Sequence, residues 1–166
     1  MARAVEEQHD QVDAVTDAVL TASRLLVAVS ARSIAAVDAS ISIAQFRLLV
    51  VLFSRGAQKV TTLAQALGVN PSTATRTIDR LLDRDLVDRQ PNPESRREMR
   101  ISLTSAGKRV VRDATRRRRA EIAAIVERMP ATHQRGLVRA LNAFSVAGGE
   151  PPAAASPYEV DETDWA

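Results

Sequence analysis

The chain has 166 residues, 45% of them apolar, and a formal net charge of +3, which fits one ordinary domain or a small domain with long appendages. It contains no cysteine, so disulfides, thiolate metal sites and cysteine-oxidation switches are excluded. His9 and His133 have no partner at a spacing such as His-x-x-x-His, and there is no phosphate-cradling glycine loop, nucleophile elbow or compact Ser, His and Asp group; no metal, cofactor or enzymatic reaction is expected.

Taken in chain order, the first predicted element is a long helix over about residues 5–40. Val12, Val15, Val19, Ala22 and Leu26 recur at three and four residues and mark an apolar face. Glu6, Asp10, Asp13 and Asp17 form an acidic stripe across from it, within about 60° of one another at 3.6 residues per turn. The amino-terminal stretch MARAVEEQHD has no apolar run of the kind a signal peptide carries. No run approaches the roughly 18 apolar residues of a membrane span, the longest block being Leu48 to Phe53. A cytoplasmic chain without membrane contact is the expectation.

A second helix is predicted from Ile43 to Ser54, with Ser42 as its cap and Gly56 ending it. Thr62 followed by Gln65 fits a capping box for a short helix to Leu67, stopped by Gly68. Asn70 and Pro71 supply a cap and a first-position proline for the next helix, predicted to run to about Asp85. Its inner face is Ala74, Ile78, Leu81 and Leu82; Ser72, Thr73, Arg76, Asp79, Arg80 and Asp83 point away, with Thr75 at the edge. Two strands, Leu86 to Arg89 and Arg100 to Leu103, are joined by QPNPESRREM, where Pro91, Asn92 and Pro93 favour a loop. Thr104 caps a long helix to about Met129, which Pro130 breaks. A last helix from Ala131 to about Val146 carries Leu137, Ala140, Leu141 and Phe144 on one side. Residues 148–166, rich in Gly, Pro and acid, read as a disordered tail bearing Tyr158 and Trp165. With only five aromatic side chains in the whole sequence, packing must rest on aliphatic residues. The fold class is mainly α with a small β-wing, a winged helix-turn-helix with long flanking helices.

The small net charge conceals an asymmetry. Residues 89–119 hold 11 Lys and Arg against 3 Asp and Glu, whereas the tail from 150 onward holds 5 acids and no base. The basic excess thus sits in the wing and the helix after it, where a phosphate-contacting surface would lie; a solvated surface is the plainer alternative. Arg116 to Arg119 do not form one patch, since four consecutive helical residues sweep roughly 300°. Arg117, Arg118 and Glu121 instead fall on the stripe of Val111, Ala114, Ile125 and Met129, where charges need partners or water. The acidic stripe of a second copy, or an anionic ligand, would supply them; the plainer reading is that both stripes are solvated faces.

Two stretches, LAQALGVNPSTATRTIDRLLDRDLVDR and ESRREMRISLTSAG, resemble the MarR family of winged helix-turn-helix transcriptional regulators, the resemblance covering roughly residues 10–147. It implies a homodimer held by the first helix and the last two helices, residues 5–40 and 105–147. The DNA-binding unit between them, 42–104, would repress transcription from a pseudo-palindromic operator on double-stranded DNA. Relief by a small-molecule effector is also implied. On the recognition helix, Ser72, Thr73, Thr75, Arg76 and Arg80 would face base edges and phosphates; in the wing, Arg97 would enter the minor groove beside Arg96. One departure is visible. Where the family has an acidic residue immediately before the two wing arginines, this chain has Ser95, with Glu94 one position earlier. The rival reading is a winged module that binds protein rather than DNA.

Overall fold

A computed structural model describes residues 2–92 and 95–149 of the chain. Six helices and one two-stranded sheet follow in the order α1 (Ala2–Asp38), α2 (Ile43–Arg55), α3 (Val60–Leu67), α4 (Pro71–Leu82), β1 (Val87–Asn92), β2 (Ser95–Leu103), α5 (Ser105–Val126) and α6 (Ala131–Ala147). Mainly helical structure with a small antiparallel wing is the expected fold class.

Local signals account for most boundaries. Ser42 and Gln45 form a reciprocal capping box at α2, whose end is Gly56 at φ 70°. Gly68 closes α3 in the left-handed region. Asn70 caps α4 ahead of Pro71, and Thr104 caps α5 through the Gly107 amide. The core is built from α2 (Leu48, Leu49, Leu52), α3 (Leu63), α4 (Ile78, Leu81), β2 (Ile101) and α5 (Val111, Ala114), with Leu86 and Val87 closing it. Each large aliphatic side chain so buried contributes about 1.5–3 kcal/mol of transfer free energy.

Several boundaries depart from expectation. The short third helix begins at Val60 with Lys59 as its N-cap and no side-chain cap. Val60 packs against the core, so winding the chain two residues earlier buries apolar surface and leaves Thr62 inside the first turn. The fourth helix ends at Leu82 rather than Asp85, because Asp85 adopts φ 55° to turn the chain into the wing. The fifth ends at Val126, short of Met129, in a turn whose carbonyls at Val126 and Met129 both accept from the Gln134 side chain.

The strands run further than QPNPESRREM suggested. The ladder pairs Val87 with Leu103, Arg89 with Ile101 and Pro91 with Met99, then shifts so that Asn92 faces Ser95. Positions 96–98 therefore have no opposite residue on β1, a bulge near the tip. Pro91 is accommodated because each strand of a two-stranded ribbon has an open side for a position without an N–H. Gln58 adds a single bridge to Ile101 on the far side of β2, at 2.8 and 2.9 Å.

Thr104 and Gly107 join α5 to the turn between α4 and β1. The Thr104 hydroxyl donates to the Asp85 carbonyl at 2.7 Å and accepts from the Gly107 amide at 3.0 Å, and the Thr104 amide donates to the Leu86 carbonyl at 3.2 Å. A Cβ at Gly107 would lie 2.0 Å from the Leu86 carbonyl oxygen, so only glycine fits.

Outside this unit the helices are largely bare. The predicted stripe on α1 is exposed, with Val12 and Val15 more than half accessible, and no residue of α6 is buried. Among the described residues of α1 only the last third is covered, with Val29, Ser33 and Ile34 buried where α1 packs along α5. The expectation that nothing approaches a membrane span needs correction. By length and composition Gln8–Asp38 is apolar enough to cross a bilayer, at mean hydropathy 1.5. The reason is that alanine, valine and leucine occupy much of its circumference, although no run is unbroken. The acidic residue Glu121 on α5 is bonded by Arg32 of α1, and Arg116 pairs with Asp113 at 2.6 Å; Arg117 and Arg118 are exposed. Of the expected disordered tail, 150–166 lies outside the described residues.

Candidate nucleic-acid interface

Helix α4 is the site's centre, and its geometry follows from its cap. The Asn70 side-chain oxygen accepts from the Thr73 amide and from the Ser72 hydroxyl, both at 2.8 Å. Ser72 thus spends its proton on the cap and keeps its oxygen lone pairs outward. The Thr75 hydroxyl donates back to the Pro71 carbonyl at 2.9 Å, leaving its lone pairs and methyl group for whatever approaches. At about 100° per residue, Ser72, Arg76, Arg80 and Thr73 span roughly a quarter-turn opposite the buried Ala74, Ile78 and Leu81. Ser72, Thr73, Arg76 and Arg80 are exposed and Thr75 is half-buried.

Local charge pairs do not form along α4. Arg76 with Asp79, and Arg80 with Asp83, would be ordinary i, i+3 partners, yet Asp79 is held at 2.6 Å by Arg89 of β1. Among the described residues Arg76 and Arg80 make no ion pair. Arg89 does two things: it ties the wing's first strand to α4, and it neutralises the acid beside the exposed arginines. The sequence contains both residues but no signal linking them, because their approach depends on the turn through Asp85.

A second link missed by sequence reasoning lies behind the helix. Arg84, just after α4, is bonded to Asp38 at the end of α1. Asp38 also accepts from the Ser40 hydroxyl at 2.6 Å and the Ser40 amide at 3.0 Å. These bonds, Ser40 foremost and then Arg84, hold the Asp38 carboxyl below its ordinary pKa against a smaller opposing effect of burial.

The structure places the backbone of Arg96 and Arg97 in β2 at the bulged tip of the wing; their side chains and Glu94 lie outside the described residues. Whether Glu94 replaces the acid missing at Ser95 therefore falls outside them as well.

A three-helix unit with an exposed, capped third helix and a flanking two-stranded wing defines the winged helix-turn-helix class. The MarR family profile matches residues 41–99, and the chain belongs to that family of transcriptional regulators. It is similar to RV1404 of Mycobacterium tuberculosis, a solved structure, at 57% identity over 86% of this chain and 97% of that one, with a TM-score of 0.80. It is also similar to two HTH-type proteins of Bacillus subtilis. The regulator YpoP is 35% identical over 45% of this chain and 52% of its own length. The repressor MdtR is 38% identical over 39% of this chain and 41% of its own length. The chain thus spans about half the length of these curated relatives, or less.

Proposed function

We propose that the protein is a sequence-specific DNA-binding regulator that acts as a homodimer on a pseudo-palindromic operator and represses by occluding a promoter. The observation that carries this reading is the outer face of α4. The Asn70 cap bonds Ser72 and Thr73 at its start, Ser72, Thr73, Arg76 and Arg80 are exposed, and among the described residues neither arginine has an acidic partner. Arg76 and the hydroxyls meet base edges, Arg80 meets phosphate, and the wing arginines Arg96 and Arg97 add groove and backbone contacts. Repression accords with the similarity to MdtR, which is named a repressor.

The dimer accounts for the bare apolar faces. Val12, Val15 and Leu26 on α1 and Leu141, Phe144 and Val146 on α6 are exposed, more than a soluble monomer leaves uncovered. A second copy is a better cover than a bilayer, because the end of α1 is packed on α5 and Arg32 is committed to Glu121. Two-fold symmetry then places half-sites about one helical turn, roughly 34 to 36 Å, apart. Relief by a small-molecule effector rests on the family alone, and the cytoplasm follows from where such regulators meet DNA. Selecting bound duplexes from a random pool tests function, symmetry and spacing together. Against the selected operator, Arg76→Ala should cost about 1–3 kcal/mol and relax specificity; an unchanged ratio of specific to random binding would refute the base-reading role.

A further inference from the structure

The arginines of α5 divide by direction. At about 100° per residue, Arg109, Arg112, Arg116 and Arg119 fall within roughly 80° of one another, opposite the buried Gly107, Val111 and Ala114. All four are exposed, and each stands three or four residues from the next, where like charges repel. Arg116 is held by Asp113 at 2.6 Å; Arg109, Arg112 and Arg119 make no ion pair among the described residues. Arg112 only approaches the Phe53 ring, 6.0 Å from its centre. No exposed large apolar side chain among the described residues lies on α5, so the apolar faces assigned to the dimer leave this stripe open. Helix α5 packs mainly on α1 and α2, whereas α4 packs on α2, α3 and β1; the stripe is a surface separate from the outer face of α4.

The complementary charge lies in the same chain. The run from Tyr158 to Trp165 reads YEVDETDW, four acids and no base between two aromatic rings. Arginine suits both parts, since its planar guanidinium takes a carboxylate on two parallel N–H bonds and also lies against an aromatic face. The lengths agree as well: Arg109 to Arg119 covers about 15 Å of helix, and Glu159 to Asp164 about 17 Å of extended chain. Reach suffices whatever the direction of α6. The Gln134 side chain bonds the Val126 carbonyl at 3.0 Å, which joins the start of α6 to the end of α5. Even end to end, the two helices put Gly149 about 40 Å from Arg119, against about 50 Å of extended chain from Gly149 to Asp164.

We propose that residues 158–165 dock on the stripe of Arg109, Arg112, Arg116 and Arg119 of their own α5, carboxylates on guanidiniums and Trp165 stacked over an arginine. Tethering in one chain makes the encounter intramolecular, so surface pairs that are individually weak suffice together. Docking withdraws a basic face from duplex phosphates, whose contacts carry no sequence information. That consequence rests on the DNA-binding function proposed above; the docking itself does not.

Trp165 is the only tryptophan in the chain and reports its own surroundings. Its fluorescence quenching by acrylamide, a neutral molecule, is measured in the full-length protein without DNA. At low salt quenching should be severalfold weaker than at about 1 M salt, where the screening length falls to about 3 Å. Arg109→Gln with Arg112→Gln, Arg116→Gln and Arg119→Gln, all at exposed positions, should abolish the protection at low salt. Glu159→Gln with Asp161→Asn, Glu162→Gln and Asp164→Asn should do the same. Quenching that is independent of salt, or equal in wild type and the arginine variant, would overturn the docking. Protection that grows with protein concentration would place the segment on another molecule and overturn the intramolecular contact. If the arginine variant weakens operator binding or the dimer while Trp165 is unmoved, the stripe serves DNA or a second copy and the proposal fails. With docking established, the variant with the neutral tail should bind random duplex severalfold more tightly and with steeper salt dependence. Unchanged binding to random duplex would remove the shielding role, and no duplex binding by either form would strike the proposed function while leaving the docking in place.

Discussion

In the winged unit Leu48, Ile78, Leu81 and Ile101 are fully buried by elements of the same chain, whereas on α1 and α6 Val12, Val15, Leu141 and Phe144 remain exposed. The difference lies in what each helix can reach. Helices α2, α3 and α4 are joined by short turns and meet one another and β2 around a shared centre. Helix α1 extends well beyond that centre, and α6 lies past a proline turn at the far end of α5. One region is therefore complete as a single chain, and the other leaves its apolar faces uncovered within one chain, to be buried only in the proposed dimer.

The most damaging single change should fall in the first region. At Gly107 a methyl group would meet the Leu86 carbonyl oxygen at 2.0 Å, and backbone on both sides cannot yield as a flexible side chain would. Gly107→Ala should cost about 3 kcal/mol, the upper end for overpacking, with a lower urea midpoint at unchanged dependence on protein concentration. A loss below about 0.5 kcal/mol, the ordinary surface range, would mean that α5 and the turn through Asp85 are not locked together.

The second region should respond in the opposite sense. Val12→Asp with Val15→Asp puts two charges into a face that is exposed in one chain and buried in the proposed dimer. Dissociation should strengthen at least a hundredfold, about 2.7 kcal/mol, in sedimentation equilibrium, while the winged unit stays folded. If the variant remains dimeric at the concentrations where wild type does, the exposed stripe is not the interface.

The wing's attachment to α4 is a smaller matter. Arg89 and Asp79 are each about half exposed, 44% and 51%, so their pair adds only about 0.2–1 kcal/mol to stability. Its larger consequence is orientation. Arg89→Ala should lower operator affinity with little change in unfolding midpoint, and Asp79→Ala should restore part of the loss by removing the acid left unpaired beside Arg76. Additive losses in the double variant would show that the two residues do not act together.

How much of this could be read from the sequence divides along the same line. Caps and breakers act within a few residues, so Ser42, Gly68, Asn70 with Pro71, and Thr104 marked helix ends correctly. The inner face of α4 followed from helical periodicity alone. Thr62 misled because a capping box is a local preference, and burial of Val60 outweighed it. The strands were drawn too short because proline and asparagine disfavour a ladder in general, while a ribbon with open sides tolerates them. Arg89 with Asp79 and Arg84 with Asp38 were invisible for a different reason. Each pair is brought together by a turn or by packing between distant helices, and no spacing in the chain encodes that approach.

The smallest expected effect sits where the two regions meet. Asp38 ends α1, where a carboxylate opposes the helix dipole, and it stays ionised because Ser40 and then Arg84 bond it. Its pKa in the folded protein is below the ordinary aspartate value of about 3.9. The stabilisation therefore exists in full above that value and is lost as pH falls through it toward the lowered folded value. Both side chains are more than a quarter exposed, so solvent reduces the effect. Asp38→Asn keeps an acceptor for Ser40 but discards the charge that holds Arg84. The gap in unfolding midpoint between wild type and variant should be constant from neutral pH down to about pH 5 and narrow at lower pH. A gap independent of pH would assign the role of Asp38 to its hydrogen bonds with Ser40, leaving Arg84 without a part in joining α1 to the winged unit.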